Sequence, residues 1–121
     1  MPIFNVDGKD ITTDLMRLPE LPPEAAEGLG PSAYRWAQER LRHLQRNHPD
    51  LLERLRRSND LNSHLFSIGE DAEQMESHVM SEALRESHKL PFLEGQALLQ
   101  NRLESIREQI FHDLILQPVP D

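Results

Sequence analysis

The sequence contains no cysteine and few aromatic residues, and both shortages narrow the chemistry that the chain can perform. Without a thiol it can build no disulfide framework, no thiolate metal site and no cysteine nucleophile. One Trp, one Tyr and four Phe among 121 residues leave a core built mainly from aliphatic side chains. A chain of this length is expected to form a single domain with one core.

Long apolar runs are also missing. Nothing in the sequence approaches the roughly 18 consecutive apolar residues that a membrane-spanning helix needs. The first ten residues, MPIFNVDGKD, lack the basic start and apolar stretch of a secretory signal. We therefore expect a cytoplasmic protein with no membrane partner.

Charge is abundant but unevenly distributed. The formal net charge is -8, yet residues 34–57 hold seven arginines against three acids, a local sum of +4. Residues 70–86 hold six acids against one arginine, a local sum of -5. Such segments either face each other inside the fold or present two different surfaces to partners.

Proline and glycine divide the chain into three parts. We predict an extended, proline-containing arm over 1–30, a helical bundle over 31–116 and an irregular tail over 117–121. Asp7-Gly8 is a turn signal that could close a short hairpin within the arm.

Aliphatic residues recur at helical spacing through the rest of the chain. Helices are expected from Gly30-Pro31-Ser32, with the proline in the first turn, to His48, from Pro49 to about residue 58, over about 60–88 and over about 92–116. Asn59 or Asp60 is a candidate N-cap for the third helix. That helix is predicted to continue through Gly69, with a break there as the alternative. The fold class predicted is all-α, an antiparallel three- to four-helix bundle with one long central helix.

Trp36 and Arg40 are four residues apart in the first of these helices, so two interpretations are open. Either Trp36 packs at the edge of the core, or its ring makes a cation–π contact with Arg40.

The histidines and serines match no catalytic or metal-binding pattern. Glu-x-x-His and His-x-x-x-His pairs are absent, as are a Gly-x-Ser-x-Gly elbow and a phosphate-binding glycine loop. We predict no metal, no cofactor and no enzymatic activity.

Residues 34–116 resemble the small transposon-encoded TnpV-like proteins. The shared pattern is Tyr34, Leu41-Arg42-His43-Leu44, His48-Pro49, Leu52, Leu55, Ser58, Leu61-Asn62, His64-Leu65, Ile68, Ala72 and Met75, then Asn101, Ile106-Arg107, Glu108 and Ile110. Arg35 stands where that family has glycine, and the tryptophan of the family's last helix is missing here. The resemblance implies a passenger protein of bacterial mobile genetic elements, and it carries over no catalytic residue.

Together these observations predict a regulatory accessory protein that acts through protein contacts, with a recombinase or a host or defence nuclease as its partner. The predicted contact surfaces are a basic face of Arg35, Arg42, Arg46, Arg54 and Arg57 and an acidic face of Glu73, Glu76 and Glu82. One alternative is direct nucleic-acid binding through the segment from Arg35 to Arg57, because arginine suits phosphate. Another is an acidic inhibitor that mimics phosphate towards a nucleic-acid-handling protein. A homodimer is also possible.

Overall fold

A computed structural model describes residues 18–117, and every regular element in that range is helical. The elements are α1 (Pro23–Ala26), α2 (Pro31–Asn47), α3 (Pro49–Arg57), α4 (Leu61–Ser87), α5 (Phe92–Ile110) and a π-helical segment (Phe111–Ile115). The all-α prediction is confirmed for this part of the chain. Within it, no helix is both long and apolar enough to cross a membrane.

Proline and asparagine set the helix boundaries. Pro31 and Pro49 occupy the first turns of α2 and α3, where a missing N–H costs nothing. Asn59 adopts the left-handed conformation with φ 62°, and the Asp60 N–H then reaches the Leu55 carbonyl at 2.9 Å. This closes α3 with a Schellman motif. Asp60 is the N-cap residue of α4, as predicted, but its side chain makes no capping hydrogen bond.

Helix α4 continues through Gly69 without a break, as predicted. Its 27 residues give a length of about 40 Å. The glycine is needed because α2 comes very close at this point: a Cβ on Gly69 would lie 2.5 Å from the Ala33 carbonyl oxygen and 3.4 Å from the Ala37 Cβ. The small residues Ala33, Ala37 and Gly69 therefore allow the backbones of α2 and α4 to approach each other closely.

Two clusters of buried side chains form the core. The first is aliphatic and joins the residues before α2 to α2, α3 and the start of α4: Leu21, Ala25, Ala37, Leu41, Leu44, Leu52, Leu61 and Leu65. The second joins α2, α4, α5 and the π-helical segment: Trp36, Ala72, Ile106, Ile110 and Ile115. The predicted stripes of α2, α4 and the last helix supply most of these positions.

The end of the predicted arm lies against the bundle. Leu21 and Ala25 are buried in the first cluster, and Gln38 Nε2 donates a hydrogen bond to the Pro19 carbonyl at 2.9 Å. One helical turn, α1, forms here although the prolines predicted an extended course. Pro23 is at its tolerated first-turn position, so it starts the turn and does not prevent it. The possible hairpin at Asp7-Gly8 lies outside the described residues, as do residues 118–121.

Candidate functional site: charged surfaces and a buried arginine

The predicted basic face lies along α2 and α3. Arg35, Arg46, Arg54 and Arg57 are exposed, whereas Arg42 is partly buried. Arg42 pairs with Glu39 at 2.6 Å and Arg57 pairs with Glu53 at 3.2 Å, each within its own helix. The arginines of α3 lie in its last turn, where cations interact favourably with the helix dipole. The predicted basic face thus consists of individually exposed arginines on two consecutive helices, together with the partly buried Arg42.

Two carboxylates of the predicted acidic face hold the start of α2. Glu73 Oε2 accepts a hydrogen bond from the Ala33 backbone N–H at 3.1 Å. Glu76 Oε1 accepts one from Ser32 Oγ at 2.8 Å, and its Oε2 lies 3.6 Å from Arg107 Nε. The first amides of a helix have no partner within it, and the Gly30 N-cap has no side chain to offer. Carboxylates from α4 supply the acceptors.

The remaining acids of α4 are more exposed. Glu82 pairs with His78 at 3.4 Å one helical turn away, and Glu86 pairs with Arg102 of α5 at 3.1 Å. The three residues predicted as one acidic face therefore differ: Glu73 and Glu76 face neighbouring helices, and Glu82 faces solvent on its own helix.

Arg40 is the functional candidate that the sequence analysis missed. It is 1% exposed, and its guanidinium lies between three acceptors. Nη1 donates to the Ile115 carbonyl at 2.7 Å and to the Gln117 carbonyl, and Nε donates to His64 Nε2 at 3.1 Å. Burial lowers the pKa of this guanidinium. Trp36 instead packs edge-on against Phe111, with ring centroids 5.4 Å apart, so it seals the core as the first interpretation predicted.

A signal for the burial of Arg40 was present in the sequence. Ala33, Ala37, Arg40 and Leu44 follow one another at spacings of four, three and four, which puts the arginine in the apolar register. The partners of Arg40 are two carbonyls far along the chain and one histidine, and no local pattern identifies them.

Two histidines, His43 and His64, lie near Arg40, and His48 lies against His43. Burial lowers the pKa of His64, and the Arg40 charge lowers it further. Burial also lowers the pKa of His43, with smaller contributions from Arg40 and His48. The rings of His43 and His48 meet edge to face with centroids 5.2 Å apart, and His43 Nε2 has no hydrogen-bond partner in the described part of the chain. These surroundings therefore favour neutral imidazoles at His43 and His64.

A shallow groove of about 480 Å³ lies where α2 meets α5. Arg35 and Arg107 flank it, and Trp36 and Phe111 form its apolar wall. Within residues 18–117, no group of three or more histidines, aspartates and glutamates is placed to hold a metal ion. Ser32 and Glu76, which are joined by the hydrogen bond described above, also line this groove.

The corner between α4 and α5 carries exposed apolar side chains. Phe92 is 76% exposed and Leu93 is 80% exposed, and Leu84 and Leu90 are also exposed. The nearby Gly95 lies against the end of α4, where an added Cβ would lie 3.0 Å from the Ser87 carbonyl oxygen. Gly95 thus allows α5 to pack closely against the end of α4, while the large apolar side chains of this corner are exposed to solvent.

No family model matches this chain, and neither a curated protein nor a solved structure matches it. The resemblance of residues 34–116 to the TnpV-like proteins stays a prediction.

Proposed function

We propose that this protein is a non-enzymatic accessory factor that binds an acidic surface of a partner protein through the arginines of α2 and α3. The observation that carries the proposal is the different placement of the two charged segments. Glu73 and Glu76 bind the start of α2, whereas the side chains of Arg35, Arg46, Arg54 and Arg57 are each exposed to solvent. Charged surfaces of this kind steer association and select partners.

The acidic-inhibitor alternative has less support. A phosphate mimic needs its carboxylates directed at the partner, but Glu73 and Glu76 have donors within the fold. Releasing them would leave the Ala33 amide and the Ser32 hydroxyl without their acceptors. Of the three predicted carboxylates, only Glu82 is free of contacts with another helix in the described range.

Direct nucleic-acid binding is the second candidate, because arginines on two consecutive helices could contact phosphates. Two observations weigh against it. The formal net charge of -8 opposes approach to a polyanion. Helix α3 has nine residues, which is short for a helix that fills a major groove.

Our architectural proposal is an antiparallel bundle with α4 at its centre. The order of contacts supports it. Arg40 of α2 meets His64, whereas the earlier Ala33 meets the later Glu73. Likewise Glu86 meets Arg102 of α5, whereas the earlier Glu76 meets the later Arg107. This order of contacts supports opposite directions for α2 and α4 and for α4 and α5.

The biological setting is proposed from the resemblance of residues 34–116 to the TnpV-like proteins. We propose a cytoplasmic product of a bacterial mobile genetic element, with a recombinase or a host or defence nuclease as the partner. Self-association into a homodimer is compatible with this role.

Charge reversal on the basic face tests the proposal. The double variant Arg35→Glu/Arg57→Glu changes two exposed side chains. A bacterial lysate treated with nuclease is passed over the immobilised wild type and over the variant. We expect the wild type to retain a specific protein and the variant to lose at least about 90% of it, since rim charges govern capture.

The matched control is Arg85→Glu/Lys89→Glu, which makes the same charge change on exposed residues in the last turn of α4 and just after it. This control should retain the partner. If both variants lose the partner protein equally, net charge alone explains the loss and the proposed binding surface is wrong. Labelled duplex DNA forms a separate arm: binding that weakens steeply with salt and requires Arg35 and Arg57 would favour the nucleic-acid candidate.

A further inference from the structure

The contact between Arg40 and His64 fixes the protonation state of the histidine. Arg40 Nε lies 3.1 Å from His64 Nε2. A guanidinium has only donors and stays charged in proteins, so Nε2 must be the acceptor. His64 is therefore neutral in this structure, with its proton on Nδ1.

Protonation of His64 is incompatible with this contact. An imidazolium has two donors and no acceptor. The hydrogen bond would be replaced by two facing donors, each belonging to a cation. Like charges at this separation repel, and more strongly where water is excluded, as it is around the buried Arg40.

The same guanidinium holds the end of the described chain. Nη1 of Arg40 donates to the carbonyls of Ile115 and Gln117. Ile115 is buried, and Phe111 covers the ring of Trp36. Arg40 therefore couples His64 on α4 to the packing of residues 111–117 on α2.

We propose that Arg40 and His64 form a pH-sensitive latch that holds residues 111–117 against α2 while His64 is neutral and releases them when His64 is protonated. The latch is independent of the partner surface proposed above, since it uses neither the arginines of the basic face nor the carboxylates of the acidic face. Its opening would uncover Trp36 and the apolar side of the π-helical segment.

The charges around the junction determine the sign of the effect. Besides Arg40, the segments that contribute to this junction carry the titratable residues His43 of α2, His48 before α3, Asp60 before α4, and His112 and Asp113 of the π-helical segment. Arg40 is the one whose charge acts on His64. The exposed His112 and Asp113 pair with each other at 3.0 Å.

Burial and the Arg40 charge lower the pKa of His64 below its ordinary value of 6.5. The closed form thus binds fewer protons than the open form, in which His64 is hydrated. The closed form is therefore favoured when the pH is above the ordinary histidine pKa, and it is lost as the pH falls below that pKa. Within the window between the two pKa values, one linked proton increases the open population about tenfold per pH unit.

Trp36 is the single tryptophan and reports directly on the latch. Its emission and the hydrogen–deuterium exchange of residues 111–117, corrected for intrinsic rates, are followed from pH 8 to pH 5. We expect a red shift and faster exchange below the ordinary histidine pKa in the wild type. The variant His64→Gln should lose both changes, because the glutamine oxygen accepts from Arg40 without titrating.

His78→Gln is the matched control, since it removes an exposed histidine of the same helix. It should titrate like the wild type. A wild type whose Trp36 emission and exchange do not change with pH overturns the latch. A His64→Gln variant that keeps the pH-dependent change also overturns it, and would place the titration at His43. If His64→Gln does not fold, nitrogen NMR of the wild type decides: Nε2 of His64 must be unprotonated at pH 8, and a protonated Nε2 refutes the proposal.

Discussion

The two halves of α4 follow the same apolar spacing but are buried to different extents. In the first half Leu61, Leu65, Gly69 and Ala72 are buried, whereas in the second half only Ala83 is. Helix α2 and the residues before it pack along the first half. The second half has α5 as its main neighbour and ends at the corner of exposed apolar side chains.

This comparison shows that periodicity identifies the face of a helix that can be buried, and that the neighbouring elements determine how much of it is buried. A stripe with neighbours on two sides becomes core. Where α5 is the main neighbour, the stripe residues Met75 and Val79 are only partly buried, and Leu84 beside the stripe is 48% exposed. The first half of α4 should therefore govern stability, and the second half should contribute much less.

The largest expected effect is that of Leu65→Ala. Leu65 is 0% exposed, and truncating a fully buried leucine leaves a cavity that costs about 2–5 kcal/mol. Leu84→Ala removes the same atoms from a half-exposed site and should cost less than about 1 kcal/mol. Urea denaturation of both variants measures the difference. Equal losses of stability in the two variants would refute the contrast between the two halves of α4.

Gly69→Ala should have the second largest effect. Alanine gains about 1 kcal/mol in helix propensity over glycine. However, its Cβ would lie 2.5 Å from the Ala33 carbonyl oxygen, and such overpacking costs about 1–3 kcal/mol. We expect a net loss of stability in thermal denaturation followed by circular dichroism. Ser67→Ala, at an exposed position of the same helix, should be neutral; a stabilised Gly69→Ala would show that the two backbones can separate freely.

Glu73→Ala should have the smallest effect of the three. It removes the acceptor for the Ala33 N–H, and the loss of a capping acceptor costs about 0.5–2 kcal/mol. Glu82→Ala, which removes a carboxylate paired only one turn away on the exposed surface, should cost about 0–0.5 kcal/mol. Urea midpoints compare the two variants. A Glu73→Ala protein as stable as Glu82→Ala would show that the start of α2 needs no acceptor from α4.

Much of the fold was predictable from residue order. The stripes of α2, α4 and the last helix, the breaks at Pro49 and around residues 88–91, and the continuity at Gly69 all follow from spacing and from proline geometry. The change to π-helical hydrogen bonding at Phe111 was not predicted. The turn of helix at Pro23 was also missed, because proline was taken as a helix breaker and not as a first-turn residue.

The candidate site was less predictable. Exposed arginines on α2 and α3 follow from their positions opposite the apolar stripe. Their acidic counterparts were predicted as one face, but Glu73 and Glu76 contact α2 while Glu82 does not. Arg40 was expected on the flank of its helix and is buried beside His64.

The sequence by itself determined the helical class, the length of α4 and the sides on which its aliphatic residues lie, because these depend on local geometry and on the transfer of apolar surface from water. The tertiary structure alone decided which carboxylates hold the start of α2 and which acceptors surround Arg40. Those partners are between 24 and 77 residues apart. A hydrogen bond over such separations exists only once packing has brought its two groups together.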